Sequence, residues 1–222
     1  MIKFCHIFTC FFIVFVLTAC TNVAADRSKL ATDPHDLAQQ FLDKGLEKFE
    51  RQNYDGAIME YDKGIRTDSL FSQIYSSRAE AKSFSNDFEG ALNDYNKSAE
   101  LSPNKSRVFF DRAGVRFQLS DYEGALEDYT RAMELNPEQP GIYNERAGVQ
   151  VFLENNSTAL KDYNKAIELD PYYGKAYFGR GELFLIMGDK YHACRDFKKA
   201  NELNYEEAVE AIETNCTIRA KF

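Results

Sequence analysis

Nucleophiles and metal ligands are scarce in this chain once its first twenty residues are set aside. Two histidines remain, His35 and His192, with two cysteines, Cys194 and Cys216. On a helix His192 and Cys194 stand about 200° apart, so they cannot share a metal ion. The glycines at 90, 114, 124, 141, 148, 174, 179 and 181 fall at regularly recurring places rather than in a phosphate-cradling loop. The expectation is a protein that is not an enzyme and uses no cofactor and no metal. Charge offers richer chemistry. Arg78, Arg112, Arg146 and Arg180 recur in step with Asp94, Asp128, Asp162 and Asp196, and Lys44 and Glu60 keep both signs at the front of the series. Such pairs predict a structural ladder of ion pairs, and the rival is a stripe of arginines lining a surface for an anionic peptide or glycan. A buried pair broken on one side costs about 3–5 kcal/mol, whereas an exposed pair is worth about 0–1 kcal/mol.

The elements that must hold these residues follow from their period. Ala57, Ala91, Ala125, Ala159 and Ala193 return every 34 residues, and Tyr61, Tyr95, Tyr129, Tyr163 and Phe197 follow each alanine by four. A fixed period of this length marks a fold built by stacking one supersecondary unit. With units starting at 38, 72, 106, 140 and 174, the eighth residue is Gly45, Ala79, Ala113, Ala147 or Gly181, small enough for two helices to approach closely. Between the small positions lie turn signals, Gln52-Asn53, Asn86-Asp87, Ser120-Asp121, Asn155-Asn156 and Gly188-Asp189. Pro103, Pro137 and Pro171 then stop the second helix of three units. Each unit reads as helix, turn, helix, stop. Unit four, with Asn156 where the first three units have Tyr or Phe, reads as the weakest hairpin.

This pattern resembles the tetratricopeptide repeat over roughly residues 38 to 207, with Asp121-Tyr122-Glu123-Gly124-Ala125-Leu126, Ala132, Leu135 and Pro137 close to that consensus. The resemblance implies an all-α, right-handed α-solenoid of five helix-turn-helix repeats, at 38–71, 72–105, 106–139, 140–173 and 174–207. A capping helix over 206–216, carrying Ala208, Val209 and Ile212, would follow. It also implies a concave groove lined by the first helix of each pair, for a protein or peptide partner. Positions carried over to that groove are Phe110, Phe117, Val151, Phe152, Phe178 and Leu185 among the apolar residues, and Gln73, Arg107, Asn144 and Lys175 among the polar ones. The cationic clamp by which chaperone-binding members hold a C-terminal carboxylate is absent, with Leu42, Leu46 and Ser77 in its place.

The amino-terminal end predicts where the protein works. Lys3 and the apolar run from Ile7 to Leu17 read as a signal peptide over 1–19, too short for a stable membrane span. Leu17-Thr18-Ala19-Cys20 resembles the bacterial lipobox, which implies a lipidated Cys20 as the mature N-terminus. Thr21 rather than Asp after it implies the outer membrane, by the rule for proteobacterial lipoproteins. Residues 20–36, with Asp33-Pro34, read as the lipidated end and a flexible tether. The formal charge is −8, and loss of Lys3 with the signal makes it −9, which provides no electrostatic footprint for nucleic acid. Lipid rather than charge would hold the protein at the membrane of the cell envelope. An even pair of cysteines, Cys194 and Cys216, placed about level on an antiparallel hairpin, predicts a disulfide in an oxidising compartment, and two unpaired thiols are the alternative.

Three function classes remain open on these grounds. One is a lipid-anchored scaffold that binds protein partners in the bacterial envelope. Another is the binding component of a glycan or nutrient uptake system, and the last is a secreted or lumenal repeat protein without lipid.

Overall fold

The computed structural model describes residues 33–216, which form eleven α-helices and no strand. They run in pairs: α1 (Pro34–Glu50) with α2 (Tyr54–Thr67), α3 (Ser72–Phe84) with α4 (Phe88–Leu101), and α5 (Ser106–Gln118) with α6 (Tyr122–Leu135). They continue as α7 (Pro140–Phe152) with α8 (Asn156–Leu169) and α9 (Gly174–Ile186) with α10 (Lys190–Glu202), closed by α11 (Glu207–Asn215). Each helix packs on the next, and first helices also touch across units, α1 with α3, α3 with α5 and α7 with α9. The result is an α-solenoid.

Local chemistry starts and stops these helices. Asn53, Asp87, Asp121 and Asp189 cap the second helices, each accepting from the backbone N–H three residues on, at Gly56, Gly90, Gly124 and His192. The residue before each cap takes a left-handed conformation, with φ of 59° at Gln52, 62° at Asn86, 63° at Ser120, 59° at Glu154 and 80° at Gly188. In unit four the turn therefore falls one residue earlier than the Asn155-Asn156 reading: Asn155 is the cap, its side chain makes no capping bond, and Glu154 carries the positive φ. Glycine occupies this strained position only in unit five.

The core repeats with the sequence. All five column alanines, Ala57, Ala91, Ala125, Ala159 and Ala193, have no exposed surface. The aromatic four residues later lies across the small position of the facing helix, so closely that a Cβ at Gly45 would stand 2.6 Å from a Tyr61 ring carbon and one at Gly181 2.7 Å from Phe197. Close approach, not turn geometry, explains those two glycines.

Both ends depart from the sequence reading. Asp33-Pro34 starts α1 rather than a turn, because Asp33 caps the helix by accepting from His35 and proline suits the first helical position. Residues 34–36, read as tether, are thus helical, and His35 binds Asp68 at 2.8 Å and lies 4.5 Å from the Phe71 ring. In α11 Ala208 is buried, whereas Val209 faces solvent. Cys20 and the signal segment lie outside the described residues, and among those described no helix is long and apolar enough to cross a membrane.

Candidate functional site

The arginine column is built as a series of forks. Through Nε and Nη2, Arg78 donates to Asp94 at 2.8 and 2.6 Å, Arg112 to Asp128 at 2.8 and 2.6 Å, Arg146 to Asp162 at 2.8 Å twice, and Arg180 to Asp196 at 2.6 and 3.0 Å. The free Nη1 reaches back into the second helix of the preceding unit, to Asp62, Asn96, Thr130 and Asn164. One planar guanidinium thereby ties two hairpins together, a geometry that a lysine ammonium cannot reproduce. The arginine side chains retain 14–18% exposure and their aspartates 2–8%. Burial works against the Arg78 charge, but Asp94 and Asp62 outweigh it and raise its pKa. Tyr75, Phe109 and Tyr177 lie beneath Arg78, Arg112 and Arg180 at 5.8, 5.2 and 5.5 Å. Engaged on every side, the arginines are part of the wall and do not form a groove stripe.

Unit one uses different residues from those assigned by sign alone. Lys44 is exposed and lies over Phe41 at 5.5 Å, while Glu60 is held by Lys48 at 2.5 Å and by Lys63 at 3.0 Å. Those two lysines, Lys48 first, keep the Glu60 carboxyl below the usual range. Lys48 opens a second donor column one helical turn after the first, which the sequence reading missed. Its later members meet the same acids: Lys82 stands 2.8 Å from Asp94, Arg116 3.3 Å from Asp128, and Gln150 donates to Asp162 at 3.1 Å. Spacing by four on one helix face was the available signal.

On the side of the first helices, α3, α5, α7 and α9 border an open cleft of about 530 Å³. Glu80 and Phe84 come from α3, Arg107, Phe110, Asp111 and Gly114 from α5, Glu145 from α7 and Lys175 from α9, with Tyr95 and Tyr129 reaching in from the second helices. Arg107 pairs with Asp111 at 2.6 Å and Lys175 with Glu145 at 2.7 Å. Glu80 has neither hydrogen bond nor ion pair among the described residues. Burial pushes the Asp111 carboxyl up, and the Glu80 charge adds to it, together outweighing Arg107. Buried tyrosines sense the same carboxylates. Burial and then Glu80 push Tyr61 up to about 12, and burial raises Tyr95, Tyr129 and Tyr163 further, helped by Asp111, Glu145 and Glu182 respectively. The cleft is lined by more apolar than polar surface, holds three carboxylates against two cations, and is floored by neutral phenols.

Two aromatic clusters sit where first helices end and second helices begin. Phe49, Tyr54 and Phe84 meet at 5.3–5.4 Å, and Phe117, Tyr122 and Phe152 at 5.1–5.4 Å. Phe84 and Phe152 remain 57% and 63% exposed, large values for phenylalanine. At the other end Cys194 and Cys216 form a disulfide with their Cα atoms 5.5 Å apart, fastening α11 to α10. Among the described residues no group of His, Cys, Asp and Glu is placed to hold a metal ion.

These paired helices, small buried columns and Asp-capped turns match a known repeat. A family model for the TPR repeat fits residues 113–151, and one for the tetratricopeptide repeat fits 140–173 and 174–207. Tetratricopeptide repeats are recognised over residues 113–207. Solved structures share the architecture. MamA 41-end from Desulfovibrio magneticus RS-1 is 19% identical with a TM-score of 0.70, over 76% of this chain and 96% of that one. A thermophilic TPR protein of Thermus thermophilus is 17% identical with a TM-score of 0.65, over 80% and 98%. YrrB, described as a TPR protein with an unusual peptide-binding site, is 18% identical with a TM-score of 0.64, over 78% and 90%. A search of curated proteins returned no match.

Within the solenoid the residues assigned to the groove divide by place. Arg107, Phe110 and Lys175 border the cleft. Phe117 and Phe152 belong to the second aromatic cluster, and Phe178 packs 5.1 Å from Tyr205 and 5.6 Å from Phe197 at the cap. Val151 packs against the core of unit four, Leu185 is half-buried and Gln73 is exposed. Asn144 is 5% exposed, so it is inaccessible to a partner; its amide donates to Glu145 at 3.1 Å and its carbonyl has no partner. Glu80, Asp111 and Glu145, the carboxylates that give the cleft its sign, were not singled out as a set from the sequence.

Proposed function

We propose that this chain is a non-catalytic, membrane-anchored scaffold of the bacterial envelope whose concave face binds a helix or extended segment of a partner protein. The open cleft along α3, α5, α7 and α9, floored by Tyr95 and Tyr129 and bordered by Phe84 and Phe110, carries the reading. Stacked repeats supply an extended surface of this kind, and YrrB is described as having a peptide-binding site of its own. The lipobox-like Leu17-Thr18-Ala19-Cys20 supports a lipid on Cys20, with the outer membrane as destination.

Two experiments test the halves separately. Labelled palmitate is incorporated into the native chain and not into Cys20→Ser; absence of label from both removes the anchor. A photo-crosslinking residue at Phe110 or Phe152 captures a partner in the envelope. Capture of protein supports the scaffold, whereas capture of polysaccharide alone supports a glycan-uptake component, for which the exposed ring of Phe152 also suits.

A further inference from the structure

The cleft has a charge imbalance that its own residues do not settle. Glu80, Asp111 and Glu145 face it against Arg107 and Lys175. Arg107 and Lys175 are each taken by one carboxylate, Asp111 at 2.6 Å and Glu145 at 2.7 Å, which leaves Glu80 without a counter-charge. A Cβ at Gly114, on the cleft lining, would meet only the Tyr129 hydroxyl, at 3.9 Å, and one at its equivalent in the next unit, Gly148, would meet nothing within 4 Å. Glycine here is no turn requirement, since both lie inside regular helices where alanine is preferred. The gap leaves room for a visiting side chain beside the surrounding carboxylates, above the buried Tyr129 ring. Phe84 and Phe110 flank the same space with apolar surface.

We propose that the occupant is a segment of a partner protein carrying lysine or arginine beside an apolar side chain, with the cation seated over Gly114 between Glu80, Asp111 and Glu145 and the apolar group against Phe84 and Phe110. This rests on the groove reading given above and adds the chemistry of what fills it. An acidic segment would meet the unpaired Glu80 in a cleft that holds three carboxylates against two cations, and its charge would be repelled rather than merely unrewarded. Asp111 is consistent with this: pushed up by burial and by Glu80, it is short of positive charge despite Arg107.

Random twelve-residue peptides displayed on phage and selected on the intact protein give the test. Enriched sequences are expected to be rich in Lys or Arg adjacent to Leu, Ile or Phe. Because the protein has no tryptophan, a synthetic peptide of the enriched sequence with one Trp added reports binding by its own fluorescence. Glu80→Gln should weaken that binding at least about tenfold, and Gly114→Leu, which fills the seat, should abolish it, with helical circular dichroism retained in both. Enrichment of acidic or uncharged peptides that Gly114→Leu or Phe110→Ala still displaces overturns the cationic occupant and leaves the groove in place. Selection of nothing, or of peptides indifferent to both of those variants, overturns the groove reading as well.

Discussion

At the scale of single residues the solenoid separates charges that hold it together from charges that face outward. Arg112 is of the first kind, and Arg112→Ala leaves Asp128, 4% exposed, with Arg116 at 3.3 Å as its remaining cation. A loss of about 3 kcal/mol is expected, read as a lower thermal midpoint. Lys44→Ala, at an exposed position, should change stability by less than about 0.5 kcal/mol. An unchanged midpoint for Arg112→Ala would mean that the forks carry no stability. Asp111, half-buried where the solenoid borders its cleft, lies on the side open to a partner, and its sign runs the other way. Its carboxyl lies above its ordinary value of 3.8, so the folded protein still holds this proton where the unfolded chain has released it. Stability from this group is greatest at low pH and falls as pH rises through that interval. Asp111→Asn removes the effect, so the stability of the variant relative to the native chain should increase with pH above about 4. Urea denaturation at a series of pH values would show it, and a decrease would contradict the assignment.

At the scale of elements the hairpin of α7 with α8 is expected to be the weakest. Asn155 makes no capping bond, Glu154 holds a positive φ without being glycine, and the buried Oδ1 of Asn156 has no partner. Glu154→Gly combined with Asn155→Asp should stabilise by about 1 kcal/mol, from relieved backbone strain and a restored cap. In the native chain, amide exchange over residues 150–160 should be faster than in the other hairpins, and equal protection there would refute the weakness. Much of this level could be read beforehand. Period, small columns and Asn/Asp turns depend on local backbone rules, so Asp87 and Asp121 declared their caps directly. The shift by one residue at Glu154 was hidden because the adjacent pair Asn155-Asn156 also suits a turn. Asp33-Pro34 was hidden because the same dipeptide begins helices and makes loops. The carboxylate cleft was harder still: Asp111 and Glu145 share one position of the period but Glu80 holds another, and the three meet only through stacking.

At the scale of the molecule, stability in a stacked array is a sum over neighbours, so damage stays near its origin. The Cys194–Cys216 disulfide closes a separation of 22 residues, worth about 3 kcal/mol in the chain-entropy model. Cys216→Ser should therefore loosen α11 and the end of α10 while leaving α1 to α6 protected from amide exchange; uniform loss along the chain would argue for one cooperative unit instead. The arginine forks also govern how such an array could grow. Each Nη1 depends on an oxygen offered by the unit before it, at Asp62, Asn96, Thr130 and Asn164. The next residue in that column is Lys198. Copying an internal unit would carry both halves of the link and preserve every join. A sixth unit of the same pattern added after the fifth would bring its guanidinium against an ammonium. The column thus acts as a ruler with an end mark, and one change, Lys198→Asn, would erase it.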